Sequence, residues 1–537
     1  MKKLLPLLLL AAFVVECAWF LRTQSLTVDE PSHIISGMNA WRQGTFKDHD
    51  DNPPLLRLWL TLLVRDEQWQ LDRINDHAIT GIRPDPEALA MRARAMNVAL
   101  GIVLGGALWF AARRLFSEGT ANVALALYAF SPAMISNFSL ATHDGAATLM
   151  TFVVAWELVR WRENPSWRRT LLLGALLGAH LMAKFNALPT FALAIALALI
   201  LKPDGWTLCP RAWNWSKVAA MLAVAFLVVW GSYFFHVSRV ELRDGRMTMD
   251  FPNYSKGVDR AVPMRLNFTF YLPAAEMLTG VINMLMNSRH GYPSFLLGEY
   301  YIGGRVVFFP TVMALKWPPL ILGLALIAGA LALLRRLRLP RGVGLMLLFP
   351  ALYLPLAMAS NMNFGDRHVL PLYPFLLLLA AAMWKWASQK RLLVLVVAAL
   401  VTLQAADGLR YAPDYLSYFN PLVRSESAWQ LLPDSNIDWG QGLIALQEYE
   451  RTHPGEQVYL AYLGSVHPST YGLRAQRFRD GERPTGTVVV SAAMLNGCLL
   501  DRHDAFRWVL QYPRKAILNH TLHVFEVPHL SSSSPDP

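Results

Sequence analysis

Asp29 and Glu30 stand just beyond the first long apolar run of the chain, in Leu26-Thr27-Val28-Asp29-Glu30-Pro31-Ser32-His33. The run 4–21 is close to the roughly 20 apolar residues that cross a bilayer, so the acidic pair lies where the chain leaves the lipid. A carboxylate at a partly dry boundary has its pKa raised toward neutrality and can serve as a general base. Asp29 also suits a plainer role, as the cap of a helix that begins at Pro31. Further on, His49-Asp50-Asp51-Asn52-Pro53-Pro54-Leu55 forms a proline-stiffened approach to another apolar stretch.

The elements that must position these groups are membrane helices. Hydrophobic residues make up 54% and charged residues 16% of the 537 residues, where a soluble domain carries about 25% charge. Apolar runs predict about eleven spans, near 4–21, 95–112, 120–138, 145–161, 170–184, 187–202, 217–236, 311–333, 342–360, 369–386 and 392–409. With the N-terminus inside, each short inner loop is basic: Arg113 and Arg114; Arg160, Arg162, Arg168 and Arg169; Lys202, Arg211 and Lys217; Arg335, Arg336, Arg338 and Arg341; Lys385, Lys390 and Arg391. The net charge of +11 is thus a matter of orientation and anionic headgroups, and no nucleic-acid partner is expected. Residues 22–94 and 237–310 become outer loops. Cys17, Cys209 and Cys498 fall in different compartments, so no intramolecular disulfide is expected.

Other charges sit at outer ends of spans. Asp144 stands in Thr142-His143-Asp144-Gly145, Arg94 in Ala93-Arg94-Ala95-Met96-Asn97, and Lys184 in Leu181-Met182-Ala183-Lys184-Phe185-Asn186. Arg367 opens a later span in Asn363-Phe364-Gly365-Asp366-Arg367-His368-Val369-Leu370-Pro371. Lys316 lies inside an apolar run before Trp317-Pro318-Pro319, a costly place unless it faces a polar cavity. Tyr301, in Tyr300-Tyr301-Ile302-Gly303-Gly304-Arg305, belongs to a flexible aromatic loop.

In order and sidedness these motifs resemble the polyprenyl- or dolichyl-phosphate-dependent C-type glycosyltransferases, the protein O-mannosyltransferase and lipid A aminoarabinose transferase group. The matching elements are the acidic pair Asp29-Glu30, the Pro53-Pro54-Leu55 element, the hairpin-tip Asp144, the helix-end Arg94, the hairpin lysine Lys184 and Arg367-His368-Val369-Leu370-Pro371. The resemblance implies an inverting transfer of sugar from a polyprenyl-phosphate donor to a protein, lipid or glycan acceptor, at the outer face of a bacterial-type plasma membrane. Asp29, Glu30 and Asp144 would be catalytic. Arg94, Lys184, Arg367 and Lys316 would hold the donor phosphate or lipid, and His49, Asn52, Pro53 and Tyr301 would form the substrate loop. No cofactor is expected: the mannosyltransferase branch needs no metal, whereas related oligosaccharyltransferases use a divalent ion, and the tight His and Cys spacings of a metal site are absent.

The fold expected is therefore an α-helical polytopic membrane protein, with a transmembrane glycosyltransferase domain over 1–410 and an extracytoplasmic α/β domain over 411–537. Strand-like runs fall at 457–463, 487–491 and 521–527, after a helix at 442–451. The element Asp434-Ser435-Asn436-Ile437-Asp438-Trp439-Gly440-Gln441 is a turn against the membrane half or a meeting point for the acceptor. The rival readings are a transporter or flippase, which would place charges near the bilayer midplane, and a glycan polymerase or ligase using the same lipid carrier.

Overall fold

The computed structural model describes residues 4–46, 52–67, 70–75, 78–83, 85–200, 215–253, 258–261 and 267–528. Helices fill each apolar stretch: α1 (Leu5–Thr23), then α2 (Glu30–Gln43) and α3 (Pro54–Leu60) in the first connecting loop, α4 (Pro86–Leu115), α5 (Glu118–Ala129), α6 (Pro132–Phe138), α7 (His143–Glu163), α8 (Trp167–Leu181), α9 (Leu188–Ile200) and α10 (Trp215–Ser232). After a second loop region come α11 (Ala275–His290), α12 (Phe308–Lys316), α13 (Pro319–Leu333), α14 (Arg341–Met358), α15 (Tyr373–Ala387) and α16 (Arg391–Leu409).

Prolines at two places shape the path. The run 120–138 is two helices, because Pro132 has no N–H with which to continue the ladder of α5 and instead opens α6. Trp317-Pro318 likewise separates α12 from α13, which bend by 117°. Among the described residues, α1, α4, α10, α14, α16 and the run Leu370–Ala387, in which a 3-10 turn extends α15, are individually long and apolar enough to cross a membrane, with a seventh crossing if α12 and α13 count as one. Hydropathy alone led to about eleven spans. The difference lies in α5, α8 and α9, of 12, 15 and 13 residues, and in α7, which carries Asp144, Glu157, Arg160, Arg162 and Glu163. α7 is buried on nearly all sides and packs on α4, α8, α9 and α14.

α8 lies unusually close to α10. A Cβ added at Gly174 would stand 2.6 Å from the Met221 carbonyl oxygen, and one at Gly178 2.6 Å from that of Ala225. Two glycines four residues apart let the backbones approach, the small-residue packing that drives helix pairing in lipid. Because α8 ends just before Lys184, this contact sets where that lysine sits.

The loops and tail carry the sheets. The strand order Val258–Ala261, Arg246–Asp250, Val237–Arg243, Phe268–Pro273 gives an antiparallel four-stranded sheet, and Pro293–Leu296 pairs with Glu299–Ile302. In the tail, α17 (Leu443–Thr452) precedes a five-stranded sheet ordered Gln476–Arg477, Val458–Ala461, Gly486–Ser491, Leu522–Val527, Arg514–Leu518. Val458–Ala461 runs parallel to Gly486–Ser491, which pairs antiparallel with Leu522–Val527. Sequence reading missed Gln476–Arg477, a two-residue strand, and Arg514–Leu518, an edge strand with a register shift between Arg514 and Ala516.

Replacing Gly178 with Leu forces α8 from α10 and is expected to cost about 1–3 kcal/mol or more, read as a lower melting temperature of the detergent-purified protein. Gly106 on α4 has open space around it, so Gly106→Leu should leave the melting temperature unchanged.

Candidate active site

One end of the helical bundle holds a cavity of about 670 Å³. It collects the C-terminal ends of α8 and α14, the N-terminal ends of α7 and α9, and the segments that follow α1 and precede α15. Antiparallel helices connected by short loops bring alternate ends to one side, which is why residues from 28 to 368 meet there.

Four charged side chains expected at the site line this cavity: Asp29, Asp144, Lys184 and Arg367. They form two ion pairs. Arg367 Nη1 donates to Asp29 Oδ2 at 3.0 Å, and Lys184 Nζ to Asp144 Oδ1 at 2.7 Å. Asp29 is the N-cap residue of α2, yet its side chain makes no capping hydrogen bond. Asp144 is not the cap of α7, where Thr142 takes that position, and its place in the first turn still suits an anion. Neither carboxylate is spent on capping; each faces a cation across the cavity. Asn52 also lines the cavity.

Glu30 and Arg94 have another role. Both are fully buried and neither lines the cavity. Arg94 Nε donates to Glu30 Oε1 at 2.8 Å and Nη2 to Oε2 at 2.6 Å, while Nη1 and Nη2 reach the Gln24 and Ser25 carbonyls at 2.7 and 2.8 Å. The Glu30 carboxylate also accepts from the backbone N–H groups of Thr27 and Ala141, each at 2.8 Å, and from the Thr27 hydroxyl. Burial alone would raise the Glu30 carboxyl, but Arg94 and these donors hold it below its ordinary value. Glu30, expected as a catalytic group, and Arg94, expected as a phosphate ligand, thus stand outside the cavity, with their polar atoms occupied in tying α2 to α4 and to the segment before α7.

Lys316, expected to hold the donor, is likewise outside the lining. Its ammonium donates to the Leu416 carbonyl at 2.9 Å and to the Asn436 carbonyl, and lies over the Phe419 ring. The polar environment that a lysine in an apolar run requires is the docked tail, not the cavity. Pro53 is outside the lining and offers its carbonyl to His143 Nε2 at 3.3 Å. Tyr301 is also outside it: its hydroxyl accepts from Asn363 Nδ2 at 3.0 Å, and Arg305 lies over its ring. His49 lies outside the described residues.

Several lining residues were not foreseen. Tyr292, Tyr353, Asn363, Phe364 and His368 come from the loops around α11 and α14, while Pro433, Asp434, Trp439, Leu463, Cys498 and Leu499 come from the tail. Asp434 and Trp439 belong to the motif whose role the sequence left open. The Arg367 guanidinium sits 4.0 Å from the Trp439 ring centre. Burial pushes the Asp434 carboxyl up to about 6, with Arg367 opposing and Asp29 adding to the rise. Apolar residues complete the lining, among them Leu188, Pro189, Met284, Leu285 and Leu356. Among the described residues no group of three or more His, Cys, Asp and Glu is placed to hold a metal ion.

The family described as dolichyl-phosphate-mannose-protein mannosyltransferase matches over residues 88–231. That segment contains Arg94, Asp144 and Lys184, and the match supports the resemblance to polyprenyl-phosphate-dependent C-type glycosyltransferases, multi-pass membrane enzymes. No curated protein matches the chain. Among solved structures, the chain is similar to ArnT from Cupriavidus metallidurans bound to undecaprenyl phosphate, at 14% identity and a TM-score of 0.48, over 99% of both chains. It is also similar to the S. cerevisiae protein O-mannosyltransferase Pmt1-Pmt2 complex bound to the sugar donor, at 12% identity and a TM-score of 0.49, over 77% of this chain and 90% of that one.

Removing either partner of the Glu30–Arg94 pair strands a buried charge, a loss of about 3–5 kcal/mol. Arg94→Met and Glu30→Gln should therefore both lower the melting temperature sharply with no ligand present. Since the folded Glu30 pKa is lowered, this stability is complete above the ordinary value of 4.5 and is lost as the pH falls through the folded value. Acid unfolding of Glu30→Gln should lack that component.

Proposed function

We propose that this chain is an inverting glycosyltransferase that moves a sugar from a polyprenyl-phosphate-linked donor to an acceptor at the outer face of a bacterial-type plasma membrane. The observation that carries the reading is the cavity itself. Two carboxylate–cation pairs face a lining that includes Leu285 and Leu356, both about half exposed at the bundle's flank. Its volume lies within the roughly 300–1,000 Å³ of small-molecule sites. A donor with a charged head and an apolar chain fits that division.

Asp29 takes the proton from an acceptor O–H or N–H as that atom attacks the anomeric carbon. The bond from the anomeric carbon to the phosphate oxygen breaks on the opposite face, and the phosphate leaves with the electron pair. Lys184 and Arg367 stabilise the charge that gathers on it. Both cations are paired with carboxylates, Lys184 with Asp144 and Arg367 with Asp29, so an arriving phosphate competes with the carboxylates, and its contact with Arg367 frees Asp29 to act as base. The outer-face assignment rests on the basic inner loops.

A transporter would be expected to hold its charges near the membrane midplane, whereas these lie at helix ends. Glu16, the acidic residue inside α1, is bonded by the Tyr415 hydroxyl and does not line the cavity.

Asp29→Asn tests the base. A general base contributes about 100- to 10,000-fold in rate, and the side chain caps nothing, so turnover of a polyprenyl-phosphate sugar should collapse while the melting temperature holds. Near-normal turnover would return Asp29 to a structural role.

Lys184→Met removes the charge and keeps the stem. The purified variant should bind polyprenyl phosphate at least about tenfold more weakly, the loss of one charge-assisted contact worth about 1.5–3 kcal/mol. Unchanged binding would confine Lys184 to neutralising Asp144.

A further inference from the structure

The tail turn Asp434–Gln441 touches Arg367 and the residue that precedes Asp29. On one side, the Trp439 ring backs the Arg367 guanidinium at 4.0 Å. On the other, the Trp439 carbonyl accepts from Val28 N–H at 2.9 Å, immediately before Asp29. The same turn holds Ser25: its N–H donates to the Gln441 carbonyl at 3.0 Å and its hydroxyl to the Gly440 carbonyl at 3.0 Å. Ser465 and Tyr471, also in the tail, bond the Val28 carbonyl at 2.8 Å and the Leu26 N–H at 2.9 Å.

The turn is itself rigidly built. Asp438 accepts from the Gly440 and Ala493 N–H groups at 3.1 and 2.9 Å, and Gln441 bridges the Trp439 N–H and the Ile437 carbonyl at 2.7 and 2.9 Å. Gly440 adopts φ +89° against the Leu463 carbonyl, so a Cβ there would both strain the backbone and collide at 2.6 Å. Trp439 is 2% exposed. The Arg367 Nε, by contrast, is buried with no hydrogen-bond partner among the described residues. Arg367 is therefore oriented by the Trp439 ring, by the Phe364 ring at the longer distance of 5.9 Å, and by its bond to Asp29, leaving a donor for a ligand.

We propose that Trp439 is a positioning residue of the active site: its ring seats the guanidinium that the donor phosphate meets, and its carbonyl seats the segment that presents the base. This rests on the glycosyltransferase reading above, and it makes the tail a working wall of the site. A guanidinium stacks flat on an indole and remains free to bond in its own plane, which an ammonium cannot do.

The test is a double-mutant cycle read by the binding of polyprenyl phosphate to the full-length protein. Trp439→Met keeps the bulk and removes the aromatic face; it should weaken binding about 3- to 30-fold, the range for one desolvated cation–π contact. In an Arg367→Gln background, where the cation is already lost, the same substitution should change binding less than about twofold. Trp439→Phe should restore most of the affinity. Equal losses in both backgrounds, or no loss in either, would overturn the inference, since packing alone is indifferent to what Arg367 is. If Trp439→Met does not fold, Trp439→Phe carries the cycle, with a smaller coupling of the same sign expected. A wild-type protein that binds no polyprenyl phosphate would instead overturn the glycosyltransferase reading, and this inference with it.

Discussion

The arrangement of the site depends on one buried ion pair. Glu30 and Arg94 are separated by 64 residues and meet with no exposed surface, each with its polar atoms met by the other and by backbone groups. Desolvating two charges costs more than their attraction returns unless the remaining donors and acceptors are satisfied, and here they are. The pair therefore accepts one geometry and no other. Since Glu30 follows Asp29 directly, that geometry places the candidate base.

Asp29 is held from both neighbours. Glu30 is tied into the helical bundle, and Val28 is bonded to the tail. Between these anchors the Asp29 side chain bonds Arg367 and no other side chain among the described residues, and it is partly exposed to the cavity. This places two adjacent carboxylates in different settings: one is buried and ionised against Arg94, the other is accessible in the cavity. The difference is environment, as the two side chains differ by a single methylene.

The cavity's charge balance is also a matter of placement. Three carboxylates and two cations face a single space: Asp29, Asp144 and Asp434 with Lys184 and Arg367. With all ionised the cations are outnumbered, so binding another anion requires that carboxylates release them or take protons. Asp434, with its carboxyl pushed up to about 6, gives up its charge as the pH falls through that value. It comes from the tail, as does the Trp439 ring, so the tail contributes to the site's electrostatics as well as its shape.

Much of the helical framework was legible in the sequence, because about 20 apolar residues leave a segment few alternatives to a helix in lipid. The tail strands at Val458–Ala461, Gly486–Ser491 and Leu522–Val527 were legible for a similar reason, a buried face with β-branched residues. Asp29, Asp144, Lys184 and Arg367 could be singled out because charges at the ends of apolar runs are rare. What the sequence could not decide is which charge meets which. Glu30 and Asp29 look alike in a string of letters, as do Arg94 and Arg367, and Lys316 was conspicuous only for being costly. Pairing is settled by contacts between residues tens to hundreds of positions apart: Arg94 on Glu30, Lys316 on the carbonyls of Leu416 and Asn436, and Trp439 beneath Arg367. Hydropathy acts along the chain and can be read there, whereas ion pairing in a dry interior depends on three-dimensional distance, which only the folded arrangement supplies.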